Sequence, residues 1–323
     1  MSRRTIFVLA GALLLAALWC GYWYWLAGTV ERQVADLARP GRRPVRLETA
    51  AAQVTGFPAT LRITLDAPRL HTPDGETWSA GELQARLNPL RPDRLHILVP
   101  PEVRGDGPLA LHVESGTLDL ALLGEEREGT LAAATLSLTA HGGEQLRVEG
   151  LVASARQTGE ATLLSVGAEA VAGSSGILPT GTATTLQDLA GQVSLPAPPP
   201  ASLDVAGLVA WRDAGGTLEI ETLRFDWQAM TVSLEATLAL DGGLRPLGAG
   251  TLRLHNAAAA LDALQRSGLL SGKEVERWRL ILAALPKRDI DGKSFVELPL
   301  AAQDGLLYVG PFPVGRLPSV ASG

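Results

Sequence analysis

Hydrophobic positions fall into three regimes along the chain. From Thr5 to Ala27 (TIFVLAGALLLAALWCGYWYWLA) no residue is charged and apolar side chains dominate. From about Thr60 to His255 apolar residues alternate with polar ones, the period of a strand. Between Asn256 and Leu285 they recur every three to four residues, the period of a helix.

The first regime is long enough to cross a bilayer. A helix rises about 1.5 Å per residue, so some 20 apolar residues span a hydrocarbon core of about 30 Å. Its start is mainly aliphatic, with Ile6, Leu13, Leu14 and Leu15 beside the anchor residue Phe7. Its end is aromatic, with Trp19, Tyr22, Trp23, Tyr24 and Trp25. Such rings favour the headgroup level of a membrane. A cleaved signal peptide would want small residues three and one positions before the cut, and Trp25 or Leu26 stands at the first of these. A lipoprotein signal would use Cys20, but Trp19 precedes it. The pattern predicts an uncleaved signal anchor. Arg3 and Arg4 set its N-terminus in the cytoplasm and the bulk of the chain across the inner membrane in the periplasm. Val30–Arg39 extends the helical spacing until Pro40, Gly41 and Pro44. The run from Arg39 to Arg46 (RPGRRPVR) is either a collar for anionic headgroups or a solvated linker.

The second regime predicts a mainly β (α+β) fold. Leu61, Ile63 and Leu65 alternate with Arg62, Thr64 and Asp66. Leu95, Ile97 and Val99 alternate likewise, as do Leu109, Leu111 and Val113, then Leu118, Leu120 and Leu122. One-sided strands of this kind belong to antiparallel sheets. Gln145–Gly150 and Ala161–Ala172 are less regular. Turns are predicted at Pro73–Gly75, Gly105–Gly107 and His141–Gly143, and a loop at Gly173–Gly181. Thr231–Leu240 is the longest clean strand, with Val232, Leu234 and Leu238 on one face. Leu218–Trp227 slips phase near Thr222–Leu223, which predicts a bulge and puts Phe225 and Trp227 on the apolar side. The third regime predicts two helices. Asn256 is placed to cap the first, and Ser271 with Glu274 forms a capping box at the second. Short strands follow at Ser294–Leu300 and Leu306–Val309.

These elements suggest a cytoplasmic tip and anchor over 1–28 and a juxtamembrane linker over 29–46. A β-rich part follows over 47–195, a Pro-rich linker over 196–203, and a second β-rich part with two helices over 204–323. So much one-sided strand, with two soluble helices to cover it, has two solutions. It closes as a sandwich, or it remains a curved antiparallel sheet whose apolar face holds acyl chains. On the second solution the groove is lined by Leu61, Ile63, Leu65, Phe225, Trp227, Val232, Leu234 and Leu238.

Composition narrows the chemistry. The formal charge of −6 over 323 residues argues against nucleic acid as a partner. Cys20 is the only cysteine, which excludes an intramolecular disulfide and a thiolate metal site. The five histidines form no metal-ligand pair at helical spacing. Asp289–Gly292 opens like a calcium loop, but Gly292 comes too early and Lys293 takes a ligand position. No nucleophile elbow, phosphate loop or dinucleotide turn is present. The sequence therefore predicts no enzyme, no cofactor and no metal.

Several short segments, in order, resemble a bacterial family of unknown function numbered 2125. They are Gly56-Phe57-Pro58 with Leu61-Arg62, Trp78-Ser79-Ala80, and PLRPDRLHILVPP over Pro89–Pro101. The later half adds LRFDWQAMTVSLEATLALD, Gly268-Leu269-Leu270, Leu298-Pro299-Leu300, Asp304-Gly305-Leu306 and Gly310-Pro311. Ala59 departs from the pattern, which often has an aromatic residue there. The resemblance implies no activity. A more distant similarity, to AsmA-like envelope proteins, implies a groove-forming sheet and a role in lipid or envelope homeostasis. Membrane lipid is then the expected partner, with other envelope proteins as a second class. The rival expectation is an envelope scaffold or adaptor with a closed β domain and no lipid site.

Overall fold

The computed structural model describes residues 3–38, 46–72, 77–105, 109–122, 126–140, 145–173, 184–200, 202, 204–227, 230–266, 271–284, 287–290 and 293–320. Side chains are described from Leu14 onward. The turns predicted at 73–75 and 141–143, the loop at 174–181, the basic residues 39–45 and the side chains of Ile6, Phe7 and Leu13 lie outside the described residues. The chain forms two compact units, Met1–Gly124 and Glu125–Gly323. Each unit is built on open antiparallel sheet.

The first unit begins with α1 (Arg3–Ala38), a helix of 36 residues. Among the described residues no helix is long and apolar enough to cross a membrane. Nine strands follow: β1 (Arg46–Glu48), β2 (Ala51–Thr55), β3 (Leu61–Asp66), β4 (Arg69–His71), β5 (Thr77–Ala80), β6 (Glu82–Asn88), β7 (Arg91–Val99), β8 (Glu102–Gly105) and β9 (Leu109–Ala121). The pairings show that the first eight are halves of four bent strands. β2 pairs with β3 as β1 pairs with β4, β3 with β6 as β4 with β5, and β7 and β8 share one edge of β9. The breaks line up across the sheet at Thr49–Ala50, Ala67–Pro68, Gly81 and Pro100–Pro101. Backbone bonds from Ala50 N to Asp66 O (3.0 Å) and Ala67 N to Gly81 O (2.8 Å) stitch that line.

The apolar side of β3, β6 and β7 is covered by α1. Trp23, Leu26 and Ala27 pack on Leu61 and Leu87, while Val30 and Val34 pack on Ile63, Leu65 and Ala85. Leu61 is fully buried. Residues 29–38 of the predicted linker continue α1, as the helical spacing of Val30–Arg39 predicts, and Val30 and Val34 seat them on the sheet.

The second unit runs through β10 (Glu126–Ala140), β11 (Gln145–Thr158), β12 (Ala161–Gly173), β13 (Thr184–Leu195), α2 (Val205–Asp213), β14 (Leu218–Trp227), β15 (Met230–Leu240), β16 (Pro246–His255), α3 (Ala257–Arg266), α4 (Gly272–Ala284), β17 (Lys287–Ile290), β18 (Lys293–Gln303), β19 (Leu306–Val309) and β20 (Phe312–Arg316). Strands β10 to β16 are a meander in chain order. β18 then joins β16, with β17 and β19 sharing its far edge and β20 beyond β19. The Pro-rich stretch 196–203 lies inside this unit, between the paired neighbours β13 and β14.

Helix α2 has no counterpart among the predicted elements. Asp204 caps it, accepting from Gly207 N at 2.7 Å, and the Trp211 indole donates to the Pro198 carbonyl at 3.1 Å. The predicted capping box at α4 is formed: Glu274 accepts from Ser271 N at 2.9 Å and from its hydroxyl at 2.7 Å. Asn256, predicted as a cap, takes a left-handed backbone with φ of 57°. The register shift between Ile220 and Leu223 is the predicted bulge.

Candidate functional site

Residues directly opposed across an antiparallel pair share a face. The registers of the second unit therefore trace rows across the sheet. One row reads Leu131, Ala153, Val166, Gly191, Leu223, Leu234, Leu252 and Leu298. On the same face Ala155, Leu164, Val193, Ile220 and Ala236 form another. Phe225, Val232, Leu254 and Val296 form a third. Leu136, Val148, Val171, Leu186, Trp227 and Met230 form a fourth. No row contains a charged residue. At about 4.8 Å between strands, the first row of eight runs roughly 34 Å.

Alternation alone would not keep these rows on one face. Val148 and Leu151, three apart in β11, both join the apolar cluster, and so do Ala168 and Val171 in β12. The phase reverses near the middle of each strand with no register shift among β10, β11, β12 and β13. Gly150, at φ 62°, and Asp188, at φ 50°, take left-handed backbone at the reversals in β11 and β13. Against β14, β13 also carries a bulge between Gln187 and Ala190.

The opposite face is polar and ion-paired. Arg156 meets Glu128 at 2.8 Å, its partner in register, and Arg147 meets Glu149 at 2.9 Å. Arg253 lies between Glu235 and Glu297. The hydrogen bond it donates to Glu235, then the charge of both carboxylates, holds its guanidinium above the usual arginine value. Water suits this side and not the other.

Among the described residues, three short helices accompany the apolar side. The helices of the unit have 9, 10 and 13 residues. Helix α3 lies against β15 and α4. In β10–β13 Ala133, Val148, Ala168 and Val171 are buried, while Leu131, Ala153, Val166 and Val193 are half-buried and Leu164 is 38% exposed. At the far margin a cavity of about 750 Å³ opens between α4 and β18–β20. Trp278, Leu298, Val309 and Phe312 line it, with Glu274 and Arg277 beside them. This volume falls within the usual range for ligand pockets.

Of the residues predicted to line a groove, Phe225, Trp227, Val232, Leu234 and Leu238 share this face. Leu61, Ile63 and Leu65 do not join them. They belong to the first unit, and α1 fills the space a ligand would need. Sequence reading missed Leu151, Leu164, Val166, Val171 and Val193, because the phase reversals break the alternation that would reveal them. Glycine at 150 was the available signal.

The predicted anchor residues divide in two. Leu14 and Leu15 are exposed, as are Tyr24 and Trp25. Trp19 and Tyr22 bond to the first sheet: the Trp19 indole donates to the Pro58 carbonyl at 3.0 Å, and the Tyr22 hydroxyl donates to the Pro89 carbonyl at 2.7 Å. Trp23 is buried in the core.

Catalytic geometry is sparse. Among the described residues no cluster of three metal-ligating side chains occurs. His96 Nδ1–H donates to Asp119 at 2.6 Å on an exposed face. His71 lies 3.1 Å from Thr77, beside Glu48.

The comparison that decides the family covers residues 23–318. It matches a family described as an uncharacterized protein conserved in bacteria (DUF2125). The chain belongs to that family. The match begins inside α1, at Trp23, which is buried against the sheet. No curated protein and no solved structure matches the chain.

Proposed function

We propose that this DUF2125 protein is a non-enzymatic protein of the bacterial inner membrane. On this reading the N-terminal part of α1 crosses the membrane, the two sheets stand in the periplasm, and the apolar face of the second unit carries lipid acyl chains for the upkeep of the envelope. The observation that carries the reading is that face: rows of apolar residues across eight strands, some buried and others, such as Leu131, Val166 and Leu164, open in part to solvent. Apolar surface on this scale is normally covered by protein or used for binding. The open sheet favours this reading over the closed scaffold.

The test uses the full chain in cells. A photo-crosslinking amino acid at Leu164 faces the apolar side, and one at Gln192 faces the other. Lipid adducts on the Leu164 variant, and few on the Gln192 variant, are expected by mass spectrometry of the purified protein. Equal labelling at both positions, or none at Leu164, would refute lipid carriage.

A further inference from the structure

Three large apolar residues of the first sheet are exposed at one end of it. Phe57 lies in the β2–β3 connection, Leu90 in the β6–β7 turn, and Leu122 just past β9. Their exposures are 45%, 75% and 49%. The registers Leu61↔Leu87↔Leu95 and Arg94↔Ala121 place all three at the same end. Helix α1 meets the sheet there, through Trp19 at Pro58 and Tyr22 at Pro89. Phe57 stacks on Tyr24 at 5.9 Å and meets Trp23 edge-on at 5.4 Å.

Four exposed arginines surround this end: Arg62, Arg86, Arg91 and Arg94. Among the described residues none has an ion-pair partner. Arg62 stands directly opposite Arg86. Like charges in that position destabilise a sheet, and among the described residues no carboxylate pairs with them. Asp119, in the same row, is taken by His96.

Length adds a constraint. Thirteen residues run from Ile6 to Leu18, before the first bond to the sheet, and they rise about 20 Å. A hydrocarbon core is about 30 Å thick. A sheet held off the membrane would leave this helix too short to cross it.

We propose that this end of the first unit is itself a membrane-binding surface. Phe57, Leu90 and Leu122 enter the interface beside Tyr24 and Trp25, and the four arginines hold the phosphates of anionic lipid headgroups. The inference rests on the reading that α1 enters a bilayer.

The test uses the full chain with Cys20→Ser, reconstituted in vesicles of phosphatidylcholine with or without phosphatidylglycerol. Single cysteines replace Leu90, Leu122 or, at the other end of the sheet, Leu70. Each carries an environment-sensitive fluorophore. Labels at 90 and 122 should shift to the blue and be quenched by nitroxide lipids several-fold more than the label at 70. Phosphatidylglycerol should deepen them. Replacing all four arginines by Gln should remove that increment while the chain still floats with the vesicles. A floating chain with an aqueous label at 90 overturns this proposal and leaves the anchor standing, and absence of any phosphatidylglycerol effect in the parent overturns the headgroup site. A chain that does not float overturns both readings.

Discussion

Single residues show where covering is complete and where it is not. Leu61 is fully buried beneath Trp23, and Leu90 is three-quarters exposed. Leu61→Ala should cost about 2–5 kcal/mol, since it leaves a cavity under α1. Leu90→Ala should change stability by no more than about 0.5 kcal/mol. Denaturant unfolding in detergent distinguishes them. Three carboxylates also act locally. The Arg245 backbone N–H holds Asp241 below its ordinary value of 3.8, the Gly207 N–H does the same for Asp204, and the Ser271 hydroxyl holds Glu274 below 4.5. Folding lowers each pKa, so the stabilisation is complete above those ordinary values. It fades as pH falls through the lower folded ones. Melting temperature should therefore drop on acidification below about pH 4. Asp241→Asn should melt lower at neutral pH and show a shallower acid limb.

Among elements, the strands of the second unit were only partly legible. Thr231–Leu240 alternates without interruption, and it is the strand β15, longer by Met230. β11 and β12 do not alternate, because Gly150 and its neighbours shift the phase. At φ 62°, Gly150 occupies a conformation that costs other residues about 1–2 kcal/mol. A Cβ there would lie 2.5 Å from the Glu169 side chain. Gly150→Val should therefore destabilise the second unit by about 2 kcal/mol or more, measured by thermal unfolding. Helix α2 was hidden for another reason. Asp204 and the apolar residues after it look like the continuation of a Pro-rich linker, and Trp211 reveals its role only when it reaches back to Pro198. The helical spacing of Val30–Arg39 anticipated the length of α1, but not that Trp23, Leu26 and Ala27 fill the sheet's core.

For the molecule as a whole, the consequence is a division of labour between two units with opposite treatments of the same kind of surface. The first covers its apolar face with its own helix. The second leaves a wider face half-open. Leu164→Glu places a charge on that open face at a position already 38% exposed. Burying an unpaired carboxylate against acyl chains is costly. The variant should keep the parent's melting temperature within about 2–4 °C, yet yield markedly less crosslinked lipid from a probe at the neighbouring Val166. An undiminished yield would argue that lipid does not pass over this face.

The sequence by itself determined the class of fold, the long central strand, the bulge at Ile220–Leu223, the helical pair and the family. All of these follow from local periodicity and short motifs, which depend on residues close together in the chain. Only the tertiary structure decided which apolar strands lie open and which are covered. Leu61 and Leu234 have the same alternating signature, yet one is sealed by α1, from a distant part of the chain. Burial depends on that partner, and no period within a strand encodes it.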